Sequence, residues 1–220
     1  MDDTAPEVPQ LREQAFVKLR QLLVDGGLRP GQFVSMPDLV RQLGLPIAPV
    51  REAVKRAEAL SLVTVVPKRG AFVMDATPET IRHTFDLRAI LDQEGARRLA
   101  LRHDAQRVSA LRQAHQDVFD AAHGTITPAL QQRAKEVDWS MHQTLADALD
   151  NPIARDLYAA NRDRISILQH ARPLLPDRIG PAMAEHLAIL ECIAAGDANT
   201  AADAVRAHYA QTLRWWGLFD

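Results

Sequence analysis

Residues 36–73 read MPDLVRQLGLPIAPVREAVKRAEALSLVTVVPKRGAFV, and the period of the apolar positions changes within them. Met36 to Leu43 fits a short helix, with Pro37 tolerated in its first turn and Gly44 at its end. Residues 49–60 fit another. Val50, Ala53, Val54, Ala57 and Leu60 form its buried stripe, while Arg51, Glu52, Lys55 and Glu58 face outward and Arg56 lies near the boundary. Pro49 suits the first helical position. Val63 to Val66 is then mostly β-branched, Pro67 to Gly70 is a turn, and Ala71 to Val73 returns, which predicts a short hairpin. Upstream, Leu11, Ala15, Leu19, Leu22 and Leu23 recur at helical spacing over residues 11–25, before Gly26 and Gly27. Three helices and a hairpin in this order predict a winged helix-turn-helix. The short link from Gly44 to Ala48 sets the third helix across the second, so the third would enter a DNA major groove.

The charge supports that placement. The whole chain of 220 residues has a net charge of -2, so overall charge does not draw it to polyanions. Residues 41–69, however, hold Arg41, Arg51, Lys55, Arg56, Lys68 and Arg69 against Glu52 and Glu58. A local basic patch in an acidic chain has the form of a nucleic-acid footprint. Arg41, Arg51, Lys55, Lys68 and Arg69 are the expected DNA contacts, with Lys68 and Arg69 at the hairpin tip reaching phosphate or the minor groove. The alternative is a small α/β module whose exposed faces happen to be basic.

From Thr77 onward no strand pattern appears. Thr77 is a good helix cap with Pro78 behind it. Helical blocks follow at about 78–102, 104–123, 128–149, 152–170, 179–195 and 198–218. The fold class is therefore mainly α: a winged helix-turn-helix over residues 1–75 and an all-helical bundle of six to seven helices over 76–220. Asp138 and His142 are spaced i, i+4 on one helix face. His186 and His208 lie on the fifth and sixth blocks. One carboxylate and three imidazoles suit a borderline divalent metal such as Zn, Ni or Mn. The spacing alone equally fits a surface hydrogen bond. His83, His103, His115, His123 and His170 show no partner at useful spacing. Arg88 either pairs Asp92 or clamps an anionic ligand, and Asn161 and Arg164 pose the same choice.

Composition excludes other classes. Hydrophobic residues make up 47% and charged residues 25%, an ordinary globular balance. The one cysteine, Cys192, rules out an internal disulfide framework and a four-cysteine zinc site. The N-terminus has no apolar leader segment, and no apolar run approaches a bilayer span. A cytoplasmic protein without a membrane partner is the expectation.

Residues 19–73 resemble the DNA-binding domain of GntR-family bacterial transcription regulators. The pieces that carry the likeness are Gly27-Leu28-Arg29-Pro30-Gly31, Pro49-Val50-Arg51-Glu52-Ala53 and Gly70-Ala71-Phe72-Val73. The second half resembles the helical FCD effector domain of the FadR branch. Arg88, Leu91 and Asp92 match its opening motif, with Asp92 where glutamate is usual. Asp138 and His142, Asn151-Pro152, Glu185-His186, Gly196-Asp197 and His208 follow in order. The resemblance implies a homodimer on a two-half-site operator. It also implies a small carboxylate effector over a metal held by Asp138, His142, His186 and His208, with Arg88, and by extension Asn161 and Arg164, toward the effector. Pro46-Ile47-Ala48 departs from the family pattern, which has an arginine at position 47 and a hydroxyl residue at 48. Pro37 likewise replaces a frequent arginine. A lost base-reading arginine is worth ~1–3 kcal/mol.

The leading expectation is a metabolite-responsive regulator, a repressor in most such families. A metal-dependent, hydrolase-like enzyme with an accessory N-terminal domain is the alternative. It lacks an evident general base, because Glu185 is turned about 100° from His186 on a helix. A metal that only staples helices together is the third reading.

Overall fold

Local capping sets the first helices. Ser35 accepts from the Asp38 backbone N–H and opens α2 (Met36–Leu43), and Gly44 closes it with a left-handed φ of 64°. The computed structural model describes residues 8–172 and 176–219. α1 spans Val8–Val24 and α3 spans Ile47–Ala59. α3 therefore starts two residues before the position expected from Pro49. Pro46 precedes it with no side-chain cap, and Pro49 sits third, still in the turn whose N–H groups lack helical acceptors.

The hairpin is present as β2 (Val63–Val66) and β3 (Gly70–Val73). A further strand, β1 (Phe33–Ser35), pairs antiparallel with β3, giving the order β1-β3-β2. Three residues are too few to show alternation, so periodicity does not reveal β1. Its register places Ser35 opposite Gly70. A β-carbon on Gly70 would lie 2.0 Å from the Val34 carbonyl oxygen, so this close crossing requires glycine.

The chain forms two compact units. The first comprises the described residues up to Thr80 together with Arg162–Arg172. Its core includes Leu19, Leu23, Leu28, Leu39, Val50 and Leu62, and also Ile167 from α7 (Pro152–Gln169). Three polar contacts secure the same segment. Asp163 is almost fully buried and takes two hydrogen bonds from Arg20, at 2.5 and 2.6 Å. Arg164 donates twice to the Leu60 carbonyl at the end of α3, and His170 Nε2 donates to the Val24 carbonyl. The division expected at residues 75/76 follows the linear chain, whereas this unit reclaims a segment from much later.

The second unit is helical. It contains α4 (Pro78–Arg102) from Ile81 on, α5 (Ala105–Ala121), α6 (Pro128–Ala148) and the first part of α7. α8 (Pro176–Ala194) and α9 (Ala198–Trp215) complete it. α8 begins three residues earlier than the periodicity indicates and runs through Gly180 and Pro181. α5 packs on α8 and α6, and α8 on α9. α4 meets α6 at Gly95, where an added β-carbon would lie 2.2 Å from the Leu145 carbonyl oxygen. Among the described residues the fold is nine helices and one small sheet.

Candidate metal centre and nucleic-acid interface

His142 on α6, His186 on α8 and His208 on α9 are buried and converge. One ring nitrogen of each lies within 4.8 Å of the others. The His186 ring stands edge-on to His142 and His208, with centroids 5.1 and 4.6 Å away. Two carboxylates fix the flanking rings. Asp92 on α4 accepts from His142 Nδ1 at 2.8 Å, and Glu185 accepts from His208 Nδ1 at 2.7 Å. A carboxylate only accepts, so both Nδ1 atoms carry a proton, and each ring in its neutral form presents the Nε2 lone pair. Those two Nε2 atoms, and both ring nitrogens of His186, are buried without a hydrogen-bond partner among the described residues.

Orphaned buried nitrogens are costly, at about 1–3 kcal/mol each. Four in one place therefore signal an absent partner. The donor set fits a divalent cation. Two of the imidazoles are kept neutral: burial first, then the neighbouring cation of Arg88, holds His142 well below the usual imidazole value. Burial, then His208 and His142, does the same to His186. The Asp–His and Glu–His pairs are the carboxylate–imidazole arrangement that orients metal-binding histidines. Asp138 lies outside the close group of three. Its Oδ1 stands 3.6 Å from His186 Nε2, a separation two ligands of one ion can adopt when each bond is ~2.1 Å.

The carboxylates are themselves held. Burial pushes Asp92 up to about 6, while Arg88 and the Tyr158 hydroxyl hold it down. Tyr158 donates to Asp92 Oδ1 at 2.8 Å. Burial raises Glu185, but hydrogen bonds from His208 and Arg178 outweigh it and leave it below the usual carboxylate value. Arg178 grips Glu185 through two 2.7 Å bonds. Asp92→Asn removes a charge that orients His142 and should weaken Zn²⁺ affinity about 10–100-fold. Competition with a chromophoric chelator measures it, and unchanged affinity would remove Asp92 from the centre.

The expected effector residues separate. Arg88 is buried on α4, with its guanidinium 3.8 Å from Asp92 Oδ2 and stacked over Phe85 at 4.9 Å. Its charge acts on both His142 and His186. Asn161 is buried in the same unit, donating to the Thr84 carbonyl while its Oδ1 has no partner. Arg164 belongs to the other unit, and its guanidinium is committed to the Leu60 carbonyl.

Sequence reasoning missed His115 on α5. It is fully buried, its Nδ1 donates to the Leu111 carbonyl at 2.8 Å, and its Nε2 has no partner. Its ring lies 5.3 Å from that of His186. The available signal was its place in the apolar stripe of Val108, Leu111 and Val118.

In the first unit, a cleft of about 550 Å³ is lined by Arg51 and Lys55 of α3 and by Lys68 and Arg69 of the hairpin tip. Four of the five expected DNA contacts thus share one concave surface. Arg41 is exposed on α2, ion-paired with Asp38 and outside that lining. Lys55 pairs with Glu52 at 3.0 Å, and Arg69 lies over the Phe33 ring. Each phosphate contact contributes about 0.9 to the slope of log affinity against log salt. The double variant Lys68→Ala/Arg69→Ala should therefore flatten that slope by roughly 2 for each protomer bound. An unchanged slope in anisotropy titrations would take the hairpin tip off the DNA.

A winged helix-turn-helix carried in one chain with a helical unit built around a buried polar centre defines a transcription regulator. The comparisons agree. "Bacterial regulatory proteins, gntR family" matches residues 11–73, and "FCD domain" matches residues 83–211. The chain belongs to the GntR family of bacterial regulatory proteins, in the group whose second half is an FCD domain. It is a DNA-binding transcription regulator and not an enzyme. It is 26% identical to an HTH-type transcriptional regulator from an unstable DNA locus of Streptomyces ambofaciens, over 90% of this chain and 81% of that one. Two solved structures share the fold. A putative GntR regulator from Rhodococcus sp. RHA1 has a TM-score of 0.73 and 20% identity, covering 95% of this chain and 99% of that one. E. coli McbR/YncC has a TM-score of 0.71 and 17% identity, covering 93% and 96%. No helix among the described residues is long and apolar enough to cross a membrane.

Proposed function

We propose that this regulator binds its operator as a homodimer and that a small carboxylate controls the affinity. His142, His186 and His208, with Asp138, would hold a divalent cation (Zn, Ni or Mn). The four orphaned imidazole nitrogens carry this reading. The cation supplies an electropositive anchor for a carboxylate oxygen. Arg88 adds a buried charge on the same side, and Asn161 offers an unpaired acceptor in the same unit. Arg164 is the third expected effector residue, and its guanidinium is already bonded to the Leu60 carbonyl. A two-fold dimer requires half-sites about one helical turn apart. An effector that favours one pose of the recognition helices lowers affinity only by its preference between poses. Release on effector binding makes the protein a repressor.

The test is fluorescence anisotropy of the full-length protein on DNA it selects from a random pool. Zn²⁺-loaded and chelator-treated protein are each titrated with a panel of small carboxylates. At least one acid should weaken DNA binding tenfold or more, only in the loaded protein. If no acid acts, or an acid acts equally after chelation, the reading falls.

A further inference from the structure

Ile47 is the first residue of α3, and 41% of its surface is exposed. Its side chain lines the basic cleft with Arg51 one turn later and with Lys55, Lys68 and Arg69 around it. Met36 and Pro37, from the first turn of α2, line the same cleft. An apolar rim thus sits at the tip of the recognition helix, inside a surface whose charge suits a polyanion. The N-terminal residues of a recognition helix are those that approach base edges. Isoleucine neither donates nor accepts a hydrogen bond, so it cannot read guanine, cytosine or adenine by their polar groups. The major groove offers one apolar group, the C5-methyl of thymine.

We propose that Ile47 reads a thymine methyl in each operator half-site. The proposal rests on the operator-binding reading and names what that surface selects. Arg51, Lys55, Lys68 and Arg69 supply affinity through phosphate and neighbouring bases, and Ile47 supplies discrimination at one base pair. The contact lies in the first turn of α3, which carries no side-chain cap.

Exchange of thymidine for deoxyuridine removes only that methyl. The full-length protein first selects double-stranded DNA from a random pool. Each thymine of the recovered sequence is then replaced by deoxyuridine in turn. One position per half-site should lose about fourfold in affinity, the burial of a single methyl group. The penalty should vanish for Ile47→Ala and persist for Ile47→Val, which keeps branched methyls. Ile47 is 41% exposed and stands at a helix end, so both variants should fold and melt close to the parent. A recovered sequence in which no thymine responds overturns the proposal, as does a penalty that survives in Ile47→Ala. If the pool yields no sequence at all, operator binding itself fails, and that outcome is separate from a failure at Ile47 alone.

Discussion

His186→Ala is expected to bind Zn²⁺ at least 100-fold more weakly than the parent protein. Loss of an orienting partner alone costs about 10–100-fold, and His186 is a central donor rather than a support. Its ring is edge-on to those of His115, His142 and His208, and neither of its nitrogens has a hydrogen-bond partner among the described residues. The folded apo-protein holds it neutral, mainly through burial, so little proton competition opposes the metal near pH 7. The first unit contains none of these groups and should stay folded, which far-UV circular dichroism and binding to the selected DNA would report. Metal affinity equal to that of the parent would overturn the assignment of the centre.

Gly95→Ala should damage the fold itself. The new β-carbon would meet backbone, the Leu145 carbonyl oxygen at 2.2 Å, and no flexible side-chain end can yield. α4 and α6 would have to separate, opening the core of Ala96, Leu99, Met141 and Leu145. The expected cost is about 3 kcal/mol, at the upper end for overpacking. It corresponds to a fall in melting temperature of roughly 6–12 °C for a chain of this size. Gly180→Ala is the control. Its nearest neighbour would be the Ala122 β-carbon at 3.9 Å, and alanine in a helix interior favours folding by up to about 1 kcal/mol over glycine. Equal melting curves for the two variants would show that α4 and α6 do not meet closely at Gly95.

The helical blocks were legible because each carries its own apolar stripe and capping residues, which depend only on neighbours in sequence. Thr77, Gly44 and Asn151-Pro152 mark helix ends by local chemistry. β1 was not legible, because its three residues become a strand only by pairing with β3. The start of α3 was misplaced because proline is tolerated throughout a first turn, so Pro49 does not single out position one. In the helical unit, Asp138, His142, His186 and His208 could be named from residue type and resemblance. The bond from His142 to Asp92 spans 50 positions and has no spacing rule. His115 lay hidden because a histidine in an apolar stripe reads as core until its unpartnered nitrogen is seen. Asn161 and Arg164 are three positions apart on one helix, and nothing in their spacing shows that the boundary between the two units falls between them.

That helix also bears on the order of events at the ribosome. Leu60 meets Arg164 across 104 positions, and Arg20 meets Asp163 across 143. Translation at roughly 5–20 residues per second leaves the first eighty residues waiting on the order of 5–20 s for these partners. During that interval the Leu60 carbonyl and the Arg20 charge must find water, and the hole left by Ile167 stays open. The nascent DNA-reading unit is thus completed only when its distant segment arrives, so a chain interrupted before residue 162 would carry a recognition helix on an unfinished base.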